Sequence, residues 1–227
     1  MFRNREDAGR QLAKQLEGRK FRNPLVLAIP RGGIVTGAVL AKALQAELDV
    51  VLSRKLRAPN QPELALGAIS EKGETYLNHY AFQAASLTEE YLDQERQHQL
   101  AEIDRRWRLF RSVRPEAPIA GRSVIVTDDG IATGSTMIAA LQTVKARKPY
   151  ELIVAVPVAS PDRLIEVRHW CNEIVCLLKP RVFWAVGQFY EDFSQVEDDE
   201  VVTYLRTFTP AVVDADVEHG IGVGDES

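Results

Sequence analysis

The chain has little cysteine, little histidine, no long apolar run and no excess of either charge. Each shortage removes a class of protein. Two cysteines, Cys171 and Cys176, are too far apart for a C-x-x-C pair and too few for a disulfide framework. Cysteine-poor usage fits a reducing compartment, where both thiols serve as small core residues. The four histidines (His79, His98, His169, His219) are scattered, so no zinc ligand spacing emerges. No apolar stretch approaches the ~18–20 residues of a membrane span. The opening MFRNREDAGRQLAKQL has no apolar signal-peptide core, and a cytoplasmic location without a membrane partner is expected. A formal charge of −4 argues against a domain-wide basic field for nucleic acid. With 45% hydrophobic and 26% charged residues, the chain is not a disordered or fibrous one.

What is present is a series of short apolar runs: PLVLAIP (24–30), LDVVLSRKL (48–56), SVIVTDD (123–129), ELIVAVPVAS (151–160) and EIVCLLK (173–179). They are nearly continuous in Val, Ile and Leu, as strands covered on both faces of a parallel sheet are. Helical patterns over 34–46, 135–147 and 161–171 separate them, the last opening with a Ser160-Pro161 start signal. Strand–helix alternation predicts an α/β fold with an open, mainly parallel five-stranded sheet. The interval 57–121 breaks the rhythm. Its first part is rich in turn residues and suits a mobile loop with a short hairpin. A capping-box pattern at Ser86-Leu87-Thr88-Glu89 then predicts a long helix, with Leu100, Ile103, Trp107 and Phe110 on one stripe and Arg105, Arg106, Arg108 and Arg111 on a solvated face. Residues 211–227 hold Asp214, Asp216, Glu218, Asp225 and Glu226 with no Lys or Arg, and should be disordered. The acidic total is therefore concentrated in the tail and leaves room for a local positive site elsewhere.

The chemistry concentrates in Val124–Met137, VIVTDDGIATGSTM. An apolar strand delivers Asp128 and Asp129, and a short loop leads to Thr133-Gly134-Ser135-Thr136 at the start of a helix. A helix N-terminus offers unpaired N–H groups and the positive end of a dipole, which suit a phosphate. Gly134 permits close backbone approach, and Thr133, Ser135 and Thr136 add hydroxyl donors. Two carboxylates at a strand's C-terminal end are placed to accept from vicinal hydroxyls and to stabilise nearby positive charge. The P-loop pattern fails because no Lys follows Gly134, and Arg31-Gly32-Gly33-Ile34-Val35-Thr36-Gly37 fails G-x-G-x-x-G. The segment instead resembles the phosphoribosyl pyrophosphate signature of the type I phosphoribosyltransferases, with Thr127 and Ser135 as mild departures. Ile29-Pro30-Arg31-Gly32-Gly33 lies where that family holds pyrophosphate, and a non-proline cis peptide is expected near Arg31–Gly32. Ser53-Arg54-Lys55 resembles the pair of cations that precedes the family's flexible loop. The chain as a whole is similar to uncharacterised bacterial members carrying RGG, RKL and VGQFYEDF segments.

The resemblance implies one domain over residues 1–210. It would carry a flexible loop at about 56–73, a helical insertion at about 86–111 and a hood at about 180–208 that recognises a nucleobase. It implies transfer of a phosphoribosyl group from phosphoribosyl pyrophosphate to an unidentified nitrogen base, with Mg²⁺ as cofactor. In that reading Asp128, Asp129 and Lys55 are catalytic. Arg31, Gly32, Gly33, Arg54, Ala132, Thr133, Gly134, Ser135 and Thr136 bind the phosphates, with Arg57 a further cation beside Lys55. Mg²⁺ would be held mainly by substrate and water, with Asp128 and Asp129 as the protein contacts open to it. Ala132 stands where oxopurine enzymes of the family carry an acid. Glu63 or Glu71 is a candidate acid or base, against the alternative of a solvated loop charge. Trp184, Phe189 and Tyr190 either stack on the base or fill the core. A homodimer is compatible with the pattern. The alternative is a protein that senses phosphoribosyl pyrophosphate without turning it over.

Overall fold

The computed structural model describes residues 1–59, 61–78 and 88–208, with the backbone alone over 61–65. The expected tail 211–227, the capping-box residues Ser86 and Leu87 and the Glu63 side chain lie outside this set. Among the described residues there are eight strands: β1 (Leu25–Ala28), β2 (Glu47–Val50), β3 (Ser53–Ala58), β4 (Gln61–Ser70), β5 (Thr75–Leu77), β6 (Ser123–Thr127), β7 (Glu151–Val158) and β8 (Glu173–Leu178). Six helices are described: α1 (Arg5–Leu16), α2 (Gly33–Ala43), α3 (Glu89–Arg111), α4 (Ser135–Ala146), α5 (Pro161–Arg168) and α6 (Asp198–Thr207).

Five strands form one parallel sheet in the order β2-β1-β6-β7-β8. Alternate residues feed opposite faces. Val26, Ala28, Ile125, Ile153 and Ala155 pack with Leu12, Leu16 and Leu40 of α1 and α2. Leu25, Leu27, Val124, Val126, Leu152 and Val154 pack with Met137, Leu141 and Val144 of α4. Both faces are covered, which is why these strands read as continuous apolar runs. The strand order reverses direction between β1 and β6. That is the switch point of an open α/β sheet, where a crevice opens beyond the strand ends. Ala28 and Thr127 are in register there, so the residues following each strand emerge side by side.

The apolar run 48–56 is not one strand. It splits into β2 of the parallel sheet and β3 of a second, antiparallel sheet ordered β3-β4-β5. An apolar run reports burial but not which sheet a strand joins. The stretch 56–73, expected as a mobile loop, is mostly paired backbone: Leu56–Ala58 pair with β4 through a bulge, and Leu56 and Leu66 are fully buried. Helix α3 starts at Glu89, with Thr88 as the N-cap accepting from the Tyr91 N–H at 3.3 Å. Its Ile103 and Phe110 are buried, whereas Trp107 is 39% exposed. Arg111 is not on a solvated face: its side chain is 8% exposed and paired with Asp49. Two helices were not anticipated, α1 and α6. Cys171 and Cys176 are free and partly buried, and desolvation pushes both thiols up to about 11.

Candidate active site

Two strand ends build the floor of a crevice. After β1 the chain turns through Pro30-Arg31-Gly32-Gly33 into α2, and after β6 it runs through Asp128 and Asp129. The two connections touch. A Cβ on Gly32 would lie 1.9 Å from Asp129 Oδ2, and one on Gly33 would lie 2.9 Å from the Asp128 Cα. Glycine is required here because the carboxylates occupy the space a side chain would need. The cis peptide bond is Pro30–Arg31, one residue before the expected place.

The loop after Asp129 delivers the start of α4. Gly134 adopts φ 82°, a left-handed conformation that suits glycine, and stands as the helix N-cap with no side chain to occupy the amide end. A cavity of about 190 Å³ lies in front of it, lined by Lys55, Asp128, Asp129, Ala132, Thr133, Gly134 and Thr136. Thr133 Oγ1 is out of contact with solvent and has no partner among the described residues. Ser135 is buried at the first helical position, and the Thr136 carbonyl accepts from Ser53 Oγ at 2.9 Å, which ties β3 to the start of α4.

The acid pair is short of positive charge. Desolvation pushes the Asp128 pKa well above the usual carboxylate range, and the neighbouring Asp129 charge adds to it. Desolvation also raises Asp129, although Arg5 beside it pulls the other way. Asp128 Oδ1 accepts the Asp129 N–H at 2.8 Å, and Asp129 Oδ2 accepts from Arg5 Nε at 2.8 Å. The Tyr190 hydroxyl donates to the Asp129 carbonyl at 2.6 Å, and desolvation drives its pKa further up.

A model of the phosphoribosyl transferase domain matches residues 2–194 of the chain. The chain belongs to this family. It is 43% identical over 205 residues to proteins of two Mycobacterium tuberculosis strains, both named as candidate phosphoribosyl transferases. The match covers 90% of this chain and 46% of each relative, so the chain spans about half the length of the curated relatives it matches. The crystal structure of TT1426 from Thermus thermophilus is 42% identical, superposes with a TM-score of 0.77 and covers 92% of this chain and 99% of that one.

Not every candidate phosphoribosyl transferase residue reaches the cavity. Lys55 does and Arg54 does not, because neighbours on a strand point to opposite faces. Arg54 Nε donates to Gln99 on α3 at 2.5 Å, and its guanidinium lies 3.8 Å from Glu102. Arg57 is exposed, with its N–H on Glu95 and its carbonyl accepting from the Tyr91 hydroxyl. Arg31 pairs with Glu197 at 2.6 Å and is absent from the cavity lining. Glu71 is also absent from that lining; it accepts the Leu52 N–H at 3.1 Å, and desolvation raises its pKa. Of the three aromatics, Phe189 packs on Phe183 at 5.2 Å and Tyr190 on Phe2 at 5.3 Å. Both lie in the segment after β8 and are packed in this way, and of the three only Trp184, 86% exposed, stays open. Arg5 was missed. No motif surrounds it, and its one signal is a cation in the first turn of a helix, where the dipole disfavours positive charge. Among the described residues no helix is long and apolar enough to cross a membrane.

Proposed function

We propose that the chain transfers a phosphoribosyl group from phosphoribosyl pyrophosphate to a nitrogen nucleophile, releasing pyrophosphate and forming a nucleoside monophosphate. The observation that carries this reading is the electrostatics of one cavity. Two under-compensated carboxylates line it together with Lys55 and with Thr133, whose hydroxyl has no partner among the described residues. Asp128 and Asp129 accept from the vicinal sugar hydroxyls. The amides and hydroxyls of residues 132–136 hold the 5-phosphate. Lys55, with the Gly32 and Gly33 backbone and Arg31 once it leaves Glu197, receives the pyrophosphate.

As the C1–oxygen bond breaks, positive charge grows on the ribosyl ring, and the carboxylates stabilise it. The acceptor nitrogen supplies the electron pair for the new bond to C1 and loses its proton to solvent, and pyrophosphate leaves with the electron pair of the old bond. The protein contributes position and field rather than a covalent intermediate.

The residues suit a hard divalent cation such as Mg²⁺. Asp128 and Asp129 are oxygen donors short of positive charge, and no third His, Cys, Asp or Glu joins them among the described residues. Pyrophosphate and water would complete the coordination. When bound, the cation offsets charge on the leaving pyrophosphate.

Ala132 lines the cavity where an acid would serve an oxopurine, which weighs against guanine and hypoxanthine as acceptors. The Arg31–Glu197 ion pair favours a second reading, a sensor of phosphoribosyl pyrophosphate, because it occupies a cation the leaving group needs. Incubation with Mg²⁺, phosphoribosyl pyrophosphate and a panel of bases and amines separates the two. Pyrophosphate release with one acceptor supports transfer. Calorimetric binding without release from any acceptor supports the sensor, and absence of binding refutes both.

A further inference from the structure

We propose that Arg5 is a positioning residue that fixes the Asp129 carboxylate for the sugar hydroxyls and locks it to the hood. The proposal rests on the reading of the acid pair as the sugar site.

Arg5 is 8% exposed, and its guanidinium is held by two hydrogen bonds and one ring contact. Nε donates to Asp129 Oδ2 at 2.8 Å, Nη1 donates to the Ser194 carbonyl at 2.7 Å, and the plane lies 3.9 Å from the centre of the Phe193 ring. A planar fork held at two points and stacked on a ring cannot swing toward a phosphate. That separates Arg5 from Lys55 and Arg31, which are free of such a double hold. Asp129 Oδ2 is wedged between Arg5 and Gly32: a Cβ on Gly32 would lie 1.9 Å from this oxygen and 3.0 Å from Arg5 Nε. With Oδ2 enclosed, the other oxygen of Asp129 is the one presented to the cavity that this residue lines.

The same arginine couples the sugar side to the acceptor side. The segment just before α1 pairs with the hood through Phe2 N–H to the Phe189 carbonyl at 2.8 Å and Asp192 N–H to the Arg3 carbonyl at 2.9 Å. The Tyr190 hydroxyl on the Asp129 carbonyl closes the loop. Asp129 is thus held from its side chain by α1 and from its backbone by the hood. Displacing the hood displaces the carboxylate.

The test uses the wild type, Arg5→Met and Arg5→Lys, with inorganic phosphate and ribose 5-phosphate as calorimetric probes. Phosphate affinity should stay within about threefold in all three, because Arg5 contacts none of residues 132–136. The preference for ribose 5-phosphate over phosphate should fall about tenfold or more in Arg5→Met, the size of one charge-assisted hydrogen bond. Arg5→Lys should recover part of it. If Arg5→Met does not fold, a partial loss in Arg5→Lys at an unchanged melting temperature carries the same conclusion. An intact preference in the variants, an equal fall for both probes, or no preference in the wild type overturns the proposal. Loss of the preference in a protein whose wild type releases no pyrophosphate supports Arg5 and refutes the transferase reading instead.

Discussion

Two acids in apolar surroundings, Asp49 and Asp129, each face a buried arginine, and they are used in opposite ways. Asp49 sits within β2 at 1% exposure and accepts three hydrogen bonds: from the Val50 N–H at 2.8 Å, Arg111 Nη1 at 2.7 Å and the Ala117 N–H at 2.9 Å. It is saturated, and it joins the sheet edge to α3 and to the chain beyond it. Asp129 lies past the end of β6 with Arg5 as the cation bonded to its carboxylate, beside a second acid that desolvation holds well up in pKa. A saturated carboxylate is part of the frame. Under the proposed function an under-supplied one at a switch point serves a ligand, because desolvated charge without compensation costs stability.

The sharpest way to break this contrast is to exchange the consequences of the two acids. Asp49→Asn strands the Arg111 charge, and a loss of about 3–5 kcal/mol in urea unfolding is expected, the cost of removing one partner of a buried pair. Turnover per folded molecule should be unchanged. Asp129→Asn should do the reverse: turnover falls about 10²–10³-fold, the scale of one preorganised electrostatic partner, with a smaller loss in unfolding than Asp49→Asn, because Arg5 keeps the Ser194 carbonyl and the Phe193 ring and the variant removes a desolvated charge. If Asp49→Asn abolished turnover while leaving the midpoint alone, saturation would be no guide to role. Gly32→Ala adds a methyl where Asp129 Oδ2 already lies, at 1.9 Å. A destabilisation of about 1–3 kcal/mol with impaired turnover is expected, as for an overpacked interior. Equal turnover in Gly32→Ala and wild type would mean the carboxylate has room to move.

The parallel sheet and the acid–glycine–hydroxyl segment were legible because both are local. A strand covered on two faces has to be apolar throughout, and a phosphate-type loop needs its glycine and hydroxyls in order within a few residues. Lys55 and Arg54 were legible as a pair but not as individuals, since only strand alternation decides which one faces the cavity. A short hairpin was legible in the turn-rich stretch after residue 57, but not its extent, because its pairing depends on Leu56 and Leu66 meeting the core. Arg5 lies 124 positions from its partner Asp129, and no local pattern encodes a contact at that separation. Glu197, which takes Arg31, lies 166 positions from it, beyond the reach of any local pattern.

The smallest expected effect asks whether the acid pair is indeed under-supplied. Asp128 has its pKa raised well above 3.8 in the fold by desolvation and by Asp129, with Arg5 and Lys55 opposing. Between 3.8 and the folded value the native state therefore holds more protons than the unfolded chain, and stability falls as pH rises through that window. The contribution is fully present below 3.8 and lost above the folded pKa. Asp128→Asn removes the carboxylate and with it this loss. The ligand-free variant should melt above the wild type at neutral pH, and the gap should shrink toward acid. Melting curves across the range check the sign directly. Parallel curves, or a wild type that gains on the variant as pH rises, would mean that Asp128 is as well supplied as Asp49.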